Sequence, residues 1–99
     1  GIGMAFRAFG APDAMNVGSP NDTVFRRGPE EIAQGVEVGT QGVALSWAPD
    51  EVLVAPSGDL GLSMGMITIN AEGAPVRRVP FLTVWRRTSR DAPWRYVAE

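Results

Sequence analysis

Two glycines, Gly61 and Gly65, stand inside the strand-forming stretch from Leu60 to Ile69. A glycine weakens a strand unless the strand bends, bulges or lies close against another backbone there. A sheet built around this stretch therefore has to curl. The neighbouring sequence supplies the other strands. From residue 42 the apolar pattern takes period two, with Val43, Leu45 and Trp47 alternating with Ala44, Ser46 and Ala48. Pro49-Asp50 reads as a turn, Val52 to Ala55 as a further extended piece, and Pro56-Ser57-Gly58-Asp59 as a strong turn. Val76 to Thr88 is the longest strand candidate, and Pro80 within it, lacking an N–H, requires an edge position or a bulge. After a turn over Ser89 to Pro93, a strand from Trp94 to Ala98 closes the meander.

The pattern ahead of residue 42 is helical. Ile2, Ala5, Phe6 and Phe9 fall at i, i+3, i+4 and i+7, one face of a helix, and Gly10 and Pro12 stop it. Asp13 to Val17 reads as a short strand and Gly18-Ser19-Pro20-Asn21-Asp22 as a turn. In Gly28-Pro29-Glu30-Glu31-Ile32, proline suits the first helical turn, where its missing N–H needs no partner, and two carboxylates suit the positive end of the helix dipole. Ile32, Ala33 and Val36 form the apolar stripe, and Gly35 and Gly39 bracket the end. The order is helix, short strand, short helix and four antiparallel strands. It predicts an α+β domain with the helices on one face of a bent sheet.

At 99 residues the chain makes one domain, residues 1–99. It contains no Cys and no His, which excludes disulfides, thiol nucleophiles, zinc fingers and imidazole triads. No cofactor and no metal site is implied. A formal charge of −2 argues against nucleic acid as a partner. No apolar run approaches the ~18 residues of a membrane span. The compartment stays open. Charge is uneven: residues 1–75 hold three Arg and nine acids, residues 76–99 six Arg and two acids. The doublets Arg26-Arg27, Arg77-Arg78 and Arg86-Arg87 read as solvated strand ends or, turned inward, as forks for a carboxylate.

Ser57-Gly58-Asp59-Leu60-Gly61, then Gly65, Phe81-Leu82-Thr83-Val84-Trp85-Arg86-Arg87 and Trp94-Arg95-Tyr96-Val97 resemble the C-terminal half of a SnoaL-like domain. Ala5-Phe6 with Asp13-Ala14, and Arg27 to Ile32, resemble the second helix, first short strand and next helix start of the same superfamily. That superfamily has the cystatin-like cone fold of nuclear transport factor two, ketosteroid isomerase, scytalone dehydratase and the polyketide cyclases. Within it, the small bacterial domains of unknown function are most similar. The resemblance implies a cone-shaped curved antiparallel sheet over short N-terminal helices, in a version lacking the usual first long helix. Either this chain is a trimmed piece or a partner in a homodimer covers the exposed sheet.

The resemblance also implies a ligand pocket at the mouth of the cone, an apolar hollow with a few placed polar groups. The candidate ligand-binding residues are Phe6, Phe9, Met15, Trp47, Met64, Met66, Phe81, Thr83 and Trp85. The same aromatic and methionine side chains serve equally well as plain core. Ketosteroid isomerases need a carboxylate base a few residues after the position of Asp13-Ala14, where this chain has Gly18 and Ser19. The dehydratases need His, which is absent. Asp13 is left as the candidate catalytic acid–base residue, since burial at a pocket wall would raise its pKa; as a turn residue it would instead accept backbone hydrogen bonds. Three functions stay open: a domain that binds a small apolar or carboxylate-bearing molecule, an isomerase, dehydratase or cyclase using Asp13, and a dimerisation module without a ligand.

Overall fold

The computed structural model describes residues 2–18 and 23–99. Helix α1 spans Ile2–Phe9 and runs directly into strand β1, Gly10–Asn16; β2 is Arg26–Arg27 and helix α2 Pro29–Gly39. Strands β3 (Val43–Val54), β4 (Leu60–Ala71), β5 (Arg77–Arg86) and β6 (Arg95–Ala98) follow. They form one curved, open sheet in the order β2-β1-β6-β5-β4-β3. The meander β3 to β6 is antiparallel as the sequence predicts, but β1 joins β6 in parallel, so the sheet is mixed.

Local chemistry explains the helices. Gly28, at φ 83°, takes a backbone conformation open to glycine, and Pro29 with Glu30 and Glu31 follows it in the first turn of α2. Ile32 and Ala33 are then fully buried against the sheet. Thr40 closes the helix, its N–H and hydroxyl both donating to the Val36 carbonyl. Helix α1 turns two faces inward. Gly3 is buried against the Glu37 side chain of α2, and Arg7 bridges Glu30 at 2.7 Å and Glu37 at 2.6 Å. Phe6 on the other face packs against Tyr96 of β6. The last carbonyls of a helix have no partner within it. Here β6 supplies them: the Tyr96 hydroxyl donates to the Phe6 carbonyl at 2.6 Å and the Arg95 guanidinium to that of Ala8.

Gly10 is the first residue of β1, three residues before the expected strand start at Asp13. A Cβ there would stand 2.7 Å from the Tyr96 hydroxyl and 2.8 Å from the Pro29 ring, so the helix-stopping glycine is also where β1 meets β6 and α2. Of the turn expected over residues 18–22, only Gly18 lies among the described residues.

The expected turn at Pro49-Asp50 does not form. Strand β3 runs through it as a β-bulge between Pro49 and Glu51, opposite Gly65 and Met64 of β4. An edge strand can carry a proline, because one side has no ladder to complete. The bulge reverses the alternation, so Val52 and Val54 face the same side as Trp47. Pro80 meets the same requirement differently: β5 lies between β4 and β6, but β6 pairs only with Val84 to Arg86, leaving β5 a local edge at Pro80. Gly61 and Gly65 act through missing side chains. Neither has positive φ, yet a Cβ on Gly65 would collide with the Ala48 carbonyl and stand 3.0 Å from the Phe81 ring.

The fully packed core is small. Ala14, Ile32 and Tyr96 are its buried members, with Phe6, Val36 and Trp85 packed around them.

Candidate functional site

The pairing register sorts the side chains of the long strands into two faces. Leu45 and Trp47 of β3, Ser63 and Ile67 of β4, and Phe81, Thr83 and Trp85 of β5 share the face under the helices. This face is not filled. Three adjoining hollows of about 450, 350 and 220 Å³ open along it, and Trp47 borders all three. Both helices wall only the first of these hollows, α1 alone the third, and the second is lined by β3, β4, β5 and Trp94. Phe81 borders the two larger ones, Thr83 and Trp85 the second and third. Phe6 forms a wall of the first and third, and Phe9, 55% exposed, stands at the rim of the third.

The small inward residues of β4 make this room. Opposite Phe81 and Trp85 stand Gly65 and Gly61, and opposite Thr83 stands Ser63. The large rings of β3 and β5 spread over this strip of small side chains. Two polar groups on the inner face have named partners: the Trp85 indole N–H donates to Ser63 Oγ at 2.9 Å, and the Tyr96 hydroxyl donates to the Phe6 carbonyl. Burial pushes the Tyr96 phenol up to about 12, with Glu99 adding to the shift.

Met64 and Met66 belong to the opposite face, paired with Leu82 and Pro80, and do not border the hollows. Met15 is also outside them; it pairs with Arg27 of β2 and Ala98 of β6, and Arg27 donates to its sulfur at 3.6 Å. Asp13 lies on the surface, its carboxylate gripped by both terminal nitrogens of Arg86 at 2.6 and 3.2 Å. This guanidinium holds the carboxyl below its ordinary range, opposite to the shift a buried general base needs. The carboxylate that Arg86 binds is thus the chain's own. Arg87 does not reach the hollows either: its guanidinium lies 4.3 Å above the Trp94 ring and donates to the Gly58 and Arg90 carbonyls.

A carboxyl absent from the sequence-derived candidates does reach the hollow. Glu99 borders the first and third cavities. Its backbone is fixed beside β1, donating to the Met15 carbonyl at 3.2 Å and accepting from Val17 N–H at 3.0 Å. Burial alone pushes its side-chain carboxyl up to about 7. Strict alternation from the inward Tyr96 would send Glu99 outward. The register, however, shifts between Val84 and Trp85 against β6, so that Tyr96 pairs with Trp85 and Ala98 with Val84, leaving Val97 as an extra residue. That bulge turns Glu99 inward. On the wall of the first hollow, Asn16 Oδ1 accepts from Gly18 N–H at 2.9 Å and from Arg26 at 3.2 Å. Among the described residues no group of three or more acidic side chains is placed to hold a metal ion, and no helix is long and apolar enough to cross a membrane.

The sequence matches no family model and no curated protein. Solved structures do resemble the chain. One is a domain of unknown function with a cystatin-like fold from Nostoc punctiforme: TM-score 0.76, 21% identity, covering 97% of this chain and 61% of that one. An NTF2-like protein of unknown function from Burkholderia pseudomallei gives TM-score 0.69 and 19% identity, over 97% of this chain and 73% of that one. A Mycobacterium tuberculosis protein in complex with estradiol-17β-hemisuccinate gives TM-score 0.71 and 14% identity, over 98% and 77%. With its curved open sheet and two capping helices, the chain has the NTF2-like, cystatin-like fold.

Proposed function

We propose that this domain binds a small, mainly apolar molecule in the hollows along the inner face of the curved sheet. The observation that carries the reading is the row of Trp47, Phe81, Thr83 and Trp85, shared by adjoining cavities of about 450, 350 and 220 Å³. Ligand pockets usually measure ~300–1,000 Å³, with apolar walls and few polar groups. The Mycobacterium tuberculosis structure supports the apolar part of this reading, since there the same fold is found with estradiol-17β-hemisuccinate, a steroid whose succinyl tail ends in a free carboxyl. In this chain a ligand carboxylate would have to lie away from Glu99, which borders the first and third hollows but not the second. Catalysis through Asp13 has no observation in its favour.

The test uses N-phenyl-1-naphthylamine, a neutral apolar dye whose emission rises out of water. It should bind saturably, and Trp47→Ala should weaken it roughly tenfold, as loss of one large ring contact implies. Trp47 is 46% exposed, so folding tolerates the change. Equal binding by the variant would overturn the reading.

We also propose that the opposite face of the sheet joins two copies of the chain. It carries Leu62, Met64, Met66 and Val84, with Leu53, Leu60 and Leu82 exposed by 54%, 44% and 45%. Contiguous apolar surface of this kind marks an interaction site. Sedimentation at micromolar concentration should give a dimer and Leu82→Glu a monomer; a monomeric parent chain overturns the proposal.

A further inference from the structure

The smallest of the three hollows, about 220 Å³, differs from the others in composition. Five aromatic rings border it, those of Phe6, Phe9, Trp47, Trp85 and Tyr96, and its one charged side chain is the Glu99 carboxyl. The rings meet edge to face rather than stacking flat: Tyr96 makes 72° with Phe6 and 83° with Trp85, at centroid separations of 5.5 and 6.3 Å. In an edge-to-face pair each ring has at least one face not covered by the other. Aromatic faces carry negative quadrupole density and attract a cation lying within ~6 Å. A carboxylate in the same wall adds a full charge of the same sign, in surroundings where water screens it weakly.

We propose that this hollow receives the ammonium head of an alkylated amine, with the rest of the molecule extending along the larger apolar hollows. The inference rests on the apolar-ligand reading above and specifies the class of ligand. Glu99 is set in place for the task. Its backbone is bonded on both sides to the end of β1, and the bulge at Val97 aims the side chain inward. The cost of ionising that carboxyl among rings falls when a cation fills the hollow.

The charged and titratable groups around Glu99 are few. Tyr96 of β6 keeps its proton throughout the neutral range. Arg26 of β2 stands on the wall of the first hollow, bonded to Asn16, and does not border the aromatic one. From α1 the hollow is bordered by Ala5, Phe6 and Phe9, none of which titrates. Arg26 keeps its charge across the neutral range, so the pH dependence of cation binding should follow the ionisation of Glu99, strengthening as pH rises through about 7.

The test compares choline with 3,3-dimethylbutan-1-ol, its uncharged isostere, by calorimetry and by displacement of N-phenyl-1-naphthylamine. At pH 8.5 choline should bind at least tenfold more tightly than the isostere. That preference should fall severalfold at pH 5.5, where the carboxyl holds its proton, and should disappear in Glu99→Gln. Dye binding by Glu99→Gln shows that the variant is folded with its hollow intact. Equal affinity for choline and the isostere overturns the ammonium proposal and leaves the apolar-ligand reading standing. A preference that survives unchanged in Glu99→Gln overturns it as well. Failure of the dye to bind the parent chain strikes the apolar-ligand reading, and direct titration with choline then decides the ammonium site separately.

Discussion

Gly65→Ala should destabilise the domain by about 2–4 kcal/mol, a large share of the ~5–15 kcal/mol available to a domain of this kind. The added methyl has no flexible neighbour to displace. It would meet the Ala48 carbonyl, with the Asp50 nitrogen at 3.1 Å and the Phe81 ring at 3.0 Å, so backbone of β3 has to move. That backbone is the bulge at Pro49 to Glu51, which turns Val52 and Val54 toward the hollow. Separating β3 from β4 there would also loosen the position of Trp47, two residues before Pro49. The matched control is Gly39→Ala. A Cβ on Gly39 meets nothing within 4 Å, and its position at the end of α2 favours alanine, so stability should stay within about 0.5 kcal/mol or rise. Urea unfolding midpoints measure both. If Gly65→Ala unfolds with the parent, the two strands do not approach as closely as their pairing shows, and the curl of the sheet needs another cause.

What the sequence made legible followed from chemistry within a few residues. Gly28-Pro29-Glu30-Glu31 starts a helix by local rules, and Gly58 in its turn takes φ 77° as the Ser57-Gly58-Asp59 pattern implies. The curl of the sheet was readable from Gly61 and Gly65, whereas Phe81, Thr83 and Trp85 came forward as pocket residues only through the family resemblance, since both faces of their strand are apolar. What stayed hidden depends on a partner strand. Pro49-Asp50 has the composition of a turn, and only Gly65 across the ladder makes room for a bulge instead. Glu99 is turned inward by one extra residue in β6, which no alternation within β6 reveals.

Met64 and Met66 show a third limit. Along β4 one face carries Leu62, Met64 and Met66, the other Gly61, Ser63, Gly65 and Ile67. Read in isolation, the first is the better core face. The structure turns the second inward, because small residues there accommodate the rings of Trp47, Phe81 and Trp85 from the flanking strands. Asp13 illustrates the same dependence through charge: Arg86, 73 residues away in sequence, fixes its carboxylate at the surface.

Tyr96→Ala should cost about 3–5 kcal/mol, the range for losing a large buried ring. Tyr96 is 3% exposed and joins three parts of the fold at once. Its ring packs edge to face against Phe6 of α1 and Trp85 of β5, and its hydroxyl caps the Phe6 carbonyl at the end of α1. No comparable ring is available to take its place: among the described residues the only large side chain buried completely is Ile32. Tyr96→Phe separates the two contributions. It keeps the ring contacts and removes one hydrogen bond, leaving a helix-terminal carbonyl without its donor, so it should cost about 1–2 kcal/mol. The two variants should differ in function as well. The phenylalanine variant keeps the wall of the third hollow and should bind the dye close to the parent affinity, whereas the alanine variant opens that wall. Chemical unfolding followed by dye titration of the folded fraction measures both effects. If Tyr96→Phe were as destabilising as Tyr96→Ala, the cap on α1 rather than the ring packing would hold helix and sheet together.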